Sequence, residues 1–575
     1  MSVVLGLNAY HAGASAAIIV DGEIRFAIAE ERLNRRKYYG GFPILAMRRC
    51  LEAAGITPAE IDFVAVGRDS GANLGKKLAY VATHPLLLGN LLTIRRSRSR
   101  LGDLRSEIAS ALGARVDDLR FRQVNIEHHL AHTASAFFLS GYDEAAGITI
   151  DGSGDFVTCM MSACKGDEIR PLHRIYVPES LGSLYTMICQ FIGYRKYGDE
   201  GKVMGLAPLG RDTFRAAFQE MIRFEEGQIR LSPLYFLPFG SDQGMSISES
   251  GETILRRQYS EKMVEMFGAA REPYGDITER DQDLAFGLQQ RFEEIYFALL
   301  NHLHGLVPLP HVVMAGGCAL NSVANGKLFD HTPFRNTWIQ PAAGDEGLAL
   351  GAALYVVHSV LKERVNRPLA NAYLGGEYGD EEIKAVLDES GIRYQRLNRD
   401  DLLERTAHEI ADGKVVGWFQ GRSEWGPRAL CNRSILCHPG YPGMKDILNA
   451  RIKRREAFRP FAPVVKAERQ SEIFERADPS PFMLHVYEIR PEWRARLSAV
   501  NHVDNTGRLQ TLAREDNPLA YDLVSAFECR TGIPVILNTS FNENEPVVEQ
   551  PREAVDCYLR TKMDVLTIGS FLCTK

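Results

Sequence analysis

Apolar and polar positions fall into short blocks at the start of the chain. The run VVLGLN from Val3 is followed by a small-residue stretch, a second apolar run AAIIV, a turn at Asp21–Gly22 and a third run in EIRFAIA. Strand-length apolar runs separated by Gly-containing turns predict an antiparallel three-strand meander. The pattern returns at residues 146–176, AGITIDGSGDFVTCMMSACKGDEIRPLHRIY, as strand, Gly/Ser loop, strand, tight turn and strand. Two copies about 140 residues apart predict a duplicated domain with two similar lobes. A further apolar run enters Gly316 and Gly317 in HVVMAGGCALNS, and the Ala-rich segment after PAAGDEG reads as a helix. The stretch RVNRPLANAYLGG from Arg364 reads as a linker, which sets the first domain at 1–365. Strands such as KVVGWFQG and GIPVILNTSFN then predict a second α/β domain over 366–575, near ordinary domain size.

Composition narrows the partners. A chain of 575 residues exceeds what one core usually serves, consistent with more than one domain. Lys plus Arg number 67 against 73 Asp plus Glu, a net charge of −6, so no nucleic-acid partner is expected. The local run RRSRSR (Arg95–Arg100) reads as a solvated loop or helix end. Ten cysteines without a C-x-x-C pair indicate neither a zinc ribbon nor a disulfide framework. The chain opens on a strand rather than a signal peptide, and HPLLLGNLL is too short to span a bilayer. A cytoplasmic protein without membrane partners is expected.

Candidate chemistry begins at EHHLAHTASAFF (residues 127–138), where three of the 15 histidines fall within five positions. In a helix, His128 and His132 share one face, a turn apart. Such a pair holds a transition metal if carboxylates complete the shell; otherwise it packs at a helix start. Asp151 ends the strand AAGITID and Asp345 precedes the Ala-rich helix, at positions where ligands collect in α/β folds. Singly, each aspartate reads as a helix cap or turn carboxylate. Together with the histidines they make a mixed N/O site suited to iron, zinc or manganese rather than calcium. The Gly152–Ser153–Gly154 stretch would let backbone N–H groups approach an anion.

In the second domain, GRSEWGPRALCNRSIL and NARIKRREAFRPFAP set Arg422, Arg428, Arg433, Arg451, Lys453, Arg454, Arg455 and Arg459 among aromatic and apolar residues. A surface helix accounts for some of these cations, but not for Arg428 behind Gly426–Pro427 or Arg459 before PFAP. Arginines beside rigid backbone suit bidentate recognition of a small phosphate. GRLQT and LNTSFN add Arg508, Asn538 and Ser540.

The two similar lobes resemble the actin-like ATPase superfamily. More specifically, HHLAHTASAFF, TIDGSGD, GDEGKVMGLAP (Gly198–Pro208), MAGGCALN and GDEGLALGAA together resemble the O-carbamoyltransferases of antibiotic biosynthesis, which include cephalosporin, nodulation-factor and tobramycin carbamoyltransferases. The resemblance spans essentially the whole chain. It implies an α/β protein with a duplicated actin-like N-terminal domain, similar to that of tRNA threonylcarbamoyladenosine transferases, and a C-terminal YrdC-like domain. It implies His128, His132, Asp151 and Asp345 as ligands of a divalent metal, Fe(2+), with Gly152, Ser153, Gly154, Gly316, Gly317 and Asn321 holding a nucleotide. It likewise implies Arg428, Lys453, Arg459, Arg508, Asn538 and Ser540 as ligands of carbamoyl phosphate or carbamoyl adenylate. Near the N-terminus the family pattern is met by Asn8, His11, Glu30, Glu31, Arg32 and Lys37, giving His11 and Lys37 as catalytic candidates. A neutral imidazole suits deprotonation of an acceptor hydroxyl. The chain departs from the family in reading HAGAS, where an acidic residue commonly follows the histidine. It departs again at Cys431 and Cys437–His438, where Gly and Ala–Asp are common.

The implied activity uses ATP as co-substrate. Carbamoyl phosphate and ATP give carbamoyl adenylate and pyrophosphate, and the carbamoyl group then passes to a hydroxyl of a small natural product. A homodimer is compatible with this reading. Residues 70–125 and 225–285 show no assignable motif, and the acceptor is not legible. Carbamoyl transfer to a protein thiol would call for an acylphosphatase-like domain and C-x-x-C zinc motifs, which the sequence lacks. Threonylcarbamoyl transfer to tRNA fits poorly with the net charge. A zinc protease would need H-E-x-x-H. A non-catalytic actin-like ATP-binding protein would leave the second domain unexplained.

Overall fold

The computed structural model describes residues 2–84, 101–102, 104–238, 245–363 and 368–575. The apolar stretch after His84, the basic run Arg95–Arg100 and the boundary expected at 365 lie outside the described residues. The chain forms two compact units: Met1–Asn34, Tyr38–Asn321 and Lys327–Leu369 make the first, and Arg35–Lys37, Ser322–Gly326 and Ala370–Lys575 the second. Both are α/β with mixed sheets. No helix among the described residues is long and apolar enough to cross a membrane.

In the first unit, β1 (Val3–Asn8), β2 (Ser15–Val20) and β3 (Glu23–Ala29) form the antiparallel meander, with Val3 opposite Val20. β4 (Phe63–Val66) and β5 (Arg122–Asn125) extend the sheet in parallel on the far side of β1, for the order β3-β2-β1-β4-β5. The second sheet repeats this plan. β6 (Glu144–Gly154), β7 (Val157–Lys165) and β8 (Glu168–Tyr176) are its antiparallel meander. β9 (His311–Ala315) and β10 (Asn336–Ile339) add to it in parallel, for the order β10-β9-β6-β7-β8. The repeat visible in the sequence as two meanders is therefore a repeat of whole sheets.

β1 and β2 are buried along their full length, which is why they read as continuous apolar runs rather than alternating ones. Helix α1 (Ile44–Ala54) packs on β2 and β3. Helix α2 (His128–Ser140) packs on the second sheet, helix α3 (Leu348–Tyr355) packs on the first, and the two helices face each other. Both are buried almost throughout, as expected of helices without a polar face. Small residues set their spacing. A Cβ on Gly6 would lie 1.9 Å from the Ala349 carbonyl oxygen, and one on Gly351 would lie 2.0 Å from that of Ala131. Only glycine permits such close approach of two backbones. This packing carries the turn before α3, with Asp345, to the first two turns of α2, with His128 and His132.

The DGSGD stretch is not the loop that the sequence suggests. β6 continues through Gly152, Ser153 and Gly154, with an irregularity after Ile150, and Gly154 pairs with Val157. The chain reverses instead at Asp155 and Phe156, whose φ values of 48° and 77° make the two-residue left-handed turn that antiparallel hairpins favour.

The second unit is built on one nine-stranded sheet. Its strands are β11 (Tyr394–Arg396), β12 (Val416–Phe419), β13 (Arg433–Cys437), β14 (Ala462–Lys466), β15 (His485–Glu488), β16 (Thr506–Leu512), β17 (Val535–Ser540), β18 (Val565–Ile568) and β19 (Phe571–Thr574). The order is β11-β19-β18-β12-β13-β17-β14-β16-β15. Adjacent central strands β13 and β17 run antiparallel, which sets the loop before β13 beside the C-terminal end of β17. Those two segments carry Arg428 and Asn538–Ser540.

Candidate functional site

In the first unit, the Glu127 carboxylate caps α2 by accepting from the Leu130 N–H at 3.0 Å, so the helix begins at the histidines. The three histidines then separate by role. His129 is held by the Thr149 hydroxyl at 2.7 Å and the Val157 carbonyl at 3.0 Å, which pins α2 to β6 and β7. His128 and His132 turn the other way. Their Nε2 atoms lie 3.5 and 3.2 Å from Asp151 Oδ2, and each lies 3.6 Å from Asp345 Oδ1. The four residues are buried, and their ligand-type atoms all fall within 4.8 Å of one another.

Each carboxylate presents one oxygen to the imidazoles and has the other held by the protein. Asp151 Oδ1 accepts from the Gly152 N–H at 2.7 Å. Asp345 Oδ2 accepts from the Tyr197 hydroxyl at 3.1 Å and lies 3.0 Å from His11 Nδ1. Asn8 fixes the loop that bears His11, since its amide donates to the carbonyls of Ala12, Gly13 and Asp345, each at 3.0 Å. Among the described residues, both nitrogens of His128 and Oδ1 of Asp345 are buried without a hydrogen-bond partner.

The protein alone leaves this cluster electrostatically tense. Burial pulls the His128 pKa down, against the attraction of the nearby Asp151 carboxylate. Burial also opposes charge on His132, but the adjacent Asp151 and Asp345 carboxylates outweigh it and lift that pKa to about 9. Asp151 is held well below the carboxylate range: burial raises it, and the two histidines more than reverse this. Asp345 falls to about 2, where burial is overcome chiefly by His11. Burial raises the Tyr197 phenol, with Asp345 and Asp151 adding to it, so this hydroxyl stays a donor. Two imidazole nitrogens and two carboxylate oxygens at this spacing, with unsatisfied buried atoms facing inward, fit a divalent transition metal.

The glycines expected to line a nucleotide divide by their surroundings. A Cβ on Gly154 would fall 2.0 Å from the His128 ring, and one on Gly316 would fall 2.4 Å from the Ile150 carbonyl oxygen. Packing explains both. A Cβ on Gly317 would approach Asp151 Oδ1 at 3.2 Å, and Gly152 has open space beside it. The Ser180 hydroxyl donates to the Gly152 carbonyl at 2.7 Å and holds the chain next to Ser153. The Asn321 amide is engaged on both sides by Gln289, at 3.0 and 3.1 Å.

In the second unit, the Glu424 carboxylate accepts from the N–H groups of Leu430, Asn432 and Arg433 at 2.7, 2.9 and 3.2 Å. It ties down the loop that carries Arg428. Arg433 is fully buried, donates to the carbonyls of Gln420, Gly421, Asn432 and Gly376, and stacks 3.7 Å over Phe419. It is a structural brace rather than an anion ligand. Lys453 is buried and donates to the Ser540 carbonyl at 2.6 Å and to the Asn542 carbonyl and side-chain oxygens, both at 2.8 Å. Asn538 donates to the Ala429 carbonyl at 3.0 Å and to Gln510 at 2.9 Å, which couples β17 to the Arg428 loop.

Around them the field is strongly positive. Burial drives the Arg508 pKa well down, and the charges acting on it are those of Arg428, Arg455 and Arg459. Burial, then the neighbouring Arg459, lowers Arg455 to about 9. Lys453 is likewise pushed far down by burial and then by Arg455, Lys37 and Arg459. Lys37 thus belongs to this cation cluster within the second unit, whereas His11 belongs to the first. Arg508 Nε has no hydrogen-bond partner among the described residues. Crowded like charges of this kind, half-buried around a buried lysine, are tolerated where an anion completes them.

Reading the sequence singled out the histidines, the aspartates and most of the cations. It assigned no role to Tyr197, Glu424 or Arg455, and Asn8 entered only as part of a family pattern. Tyr197 had a signal in standing directly before Gly198–Pro208, and Arg455 in its place within the run KRRE. The role of Glu424 comes from backbone geometry and has no sequence signature.

Family models described as carbamoyltransferase N-terminus and carbamoyltransferase C-terminus match residues 3–354 and 407–575. The chain is 37% identical over 585 residues to nodulation protein NolNO of Sinorhizobium fredii, covering 99% of this chain and 80% of that protein. It is 36% identical over 611 residues to an uncharacterized protein of Synechocystis, covering 100% and 97%. It is also 36% identical over 456 residues to nodulation protein NolO of Bradyrhizobium diazoefficiens, covering 78% and 79%.

Proposed function

Since the chain belongs to the carbamoyltransferase family, and is an enzyme of that class, we propose that it is an ATP-dependent O-carbamoyltransferase with separate activating and transferring centres. The second, YrdC-like unit activates carbamoyl phosphate with ATP. The first, actin-like unit holds Fe(2+) and a nucleotide and passes the carbamoyl group to a hydroxyl of a small natural product. The observation that carries the first step is the half-buried Arg508 guanidinium, its Nε enclosed without a partner among the described residues and pressed by Arg428, Arg455 and Arg459. Such a site selects a compact, highly charged phosphate species.

The chemistry fixes its own balance. Carbamoyl phosphate, ATP and one water give carbamoyl adenylate, pyrophosphate and inorganic phosphate. Water first cleaves the bond joining the carbamoyl group to phosphate, giving carbamate and inorganic phosphate; a carbamate oxygen then bonds to the α-phosphorus of ATP and the bond to the pyrophosphate group breaks. Arg428, Arg459 and Arg508 neutralise the phosphate, while Lys453 holds the Ser540–Asn542 segment in place. In the transfer step the acceptor oxygen bonds to the carbamoyl carbon, AMP leaves, and the hydroxyl proton passes to His11. With Asp345 beside its Nδ1, His11 would use Nε2 as the base. A metal held by His128, His132, Asp151 and Asp345 would supply positive charge toward the AMP phosphate. Enclosure of the reactive adenylate limits its loss to water.

The test separates the steps. Arg459→Ala should abolish formation of pyrophosphate and inorganic phosphate from carbamoyl phosphate and ATP, and supplied carbamoyl adenylate should restore transfer. A folded Arg459→Ala protein that cannot be rescued by adenylate would show the division of labour to be wrong.

A further inference from the structure

The segment Gly198–Pro208 supplies none of the proposed ligands or bases. The residue just before it, Tyr197, donates its hydroxyl to Asp345 Oδ2 at 3.1 Å. We propose that Tyr197 is a positioning residue of the metal centre: with His11 Nδ1, which lies 3.0 Å from the same oxygen, it holds Asp345 Oδ2 so that only Oδ1 faces the metal, with the turn at Gly198–Asp199 serving to present it. This rests on the metal reading given above.

Three observations support it. First, the support around the four proposed ligands is unevenly distributed. The Nδ1 atoms of both His128 and His132 are buried without hydrogen-bond partners among the described residues. Metal-bound imidazoles are usually oriented through that atom by an outer acceptor. Here the orienting contacts fall on the carboxylates instead, from the Gly152 N–H for Asp151 and from Tyr197 and His11 Nδ1 for Asp345. Second, a free carboxylate can bind a cation through one oxygen or both, so occupying Oδ2 with a hydroxyl donor decides between the two modes. Third, Tyr197 is itself fixed. The Asp199 carboxylate accepts from the Lys196 N–H at 3.1 Å and pairs with Lys202 at 2.6 Å, closing the turn around Tyr197. The Tyr38 ring packs edge-on against the Tyr197 ring with centroids 5.2 Å apart. Gly198, at φ 85°, makes room for it, since a Cβ there would strike the Tyr38 ring at 2.0 Å. The glycine and aspartate that open the segment thus keep one phenol aimed at one carboxylate oxygen.

The experiment titrates metal-stripped full-length protein with Co(II), using wild type, Tyr197→Phe and His132→Ala. Circular dichroism first shows that each variant is folded. The phenylalanine variant should bind Co(II) about 10- to 100-fold more weakly. Its visible d–d absorption should also change in shape, because Asp345 Oδ2, left with His11 as its one holding contact, is freer to turn toward the metal. Wild-type affinity and spectrum in Tyr197→Phe, beside loss of Co(II) in His132→Ala, would overturn this proposal alone. Wild-type protein that takes up no Co(II) would overturn the metal reading and this proposal with it. A crystal structure of the Co(II)-loaded wild type tests the same point without any substitution. Asp345 bound through Oδ1 alone, with Tyr197 on Oδ2, is expected; bidentate Asp345 would refute the role.

Discussion

Replacing Gly351 by alanine adds one methyl group at the closest approach of α2 and α3, and its effect can be worked from the geometry. The new Cβ would sit 2.0 Å from the Ala131 carbonyl oxygen. A carbon and a carbonyl oxygen come no nearer than about 3.3 Å, so the helices must part by roughly 1 Å. Neither side is a flexible side chain, so the backbone itself has to move. Overpacking of this kind costs about 1–3 kcal/mol, of which the better helix propensity of alanine returns up to about 1. The larger effect is expected at the ligands. Asp345 lies just before α3, and His128 and His132 lie on α2. Metal–ligand distances tolerate about 0.2 Å, well under the displacement required. Gly351→Ala should therefore lose most of its bound metal and its transfer activity, while losing only modest stability. Release of pyrophosphate from carbamoyl phosphate and ATP, assigned to the other unit, should persist. Gly305→Ala is the control: it lies in the helix Glu279–Leu306 with nothing within 4 Å of an added Cβ, and should gain about 0.5–1 kcal/mol. Elemental analysis and thermal unfolding read both outcomes. Wild-type metal content in Gly351→Ala would refute the claim that this helix contact sets the ligand geometry.

Other expectations follow from the same residues. Metal uptake should displace the proton that His132 carries up to about pH 9 in the metal-free protein. Apparent affinity should then rise about tenfold per pH unit between the ordinary histidine range and pH 9. Calorimetry in two buffers of different ionisation enthalpy should show about one proton released per ion; none would contradict the His132 assignment. Burial lowers the His485 pKa to about 4. Between pH 6.5 and 4 the unfolded chain therefore binds a proton that the folded one refuses, so stability falls on acidification, by up to about 3 kcal/mol. His485→Gln should flatten that slope in a pH series of denaturant midpoints, and an unchanged slope would remove His485 as its cause. His11→Asn should slow transfer by about 10²- to 10⁴-fold while leaving pyrophosphate release intact. Near wild-type transfer would leave His11 as a loop residue only.

The sequence determined the parts whose signal is local. Continuous apolar runs marked β1 and β2 because both faces of their sheet are covered, and the meander repeated at β6–β8 because the sheet itself is repeated. The spacing of His128 and His132 placed them on one helical face, and proline- and glycine-flanked arginines marked the cation cluster. Tertiary structure decided what depends on residues distant along the chain. The pairing of β6 and β7 kept Gly152–Gly154 in the strand, since the reversal comes from left-handed Asp155 and Phe156 rather than from the glycines. His129 and Arg433 resemble their functional neighbours in sequence, yet each is satisfied by strands or loops that only folding brings near. Asp345 meets His132 more than two hundred residues away because Gly6 and Gly351 let backbones touch, and Tyr197 reaches Asp345 across 148 residues. A side chain's type is written in the chain, but whether it is spent on packing or left facing a ligand depends on its partners, and those are a property of the fold.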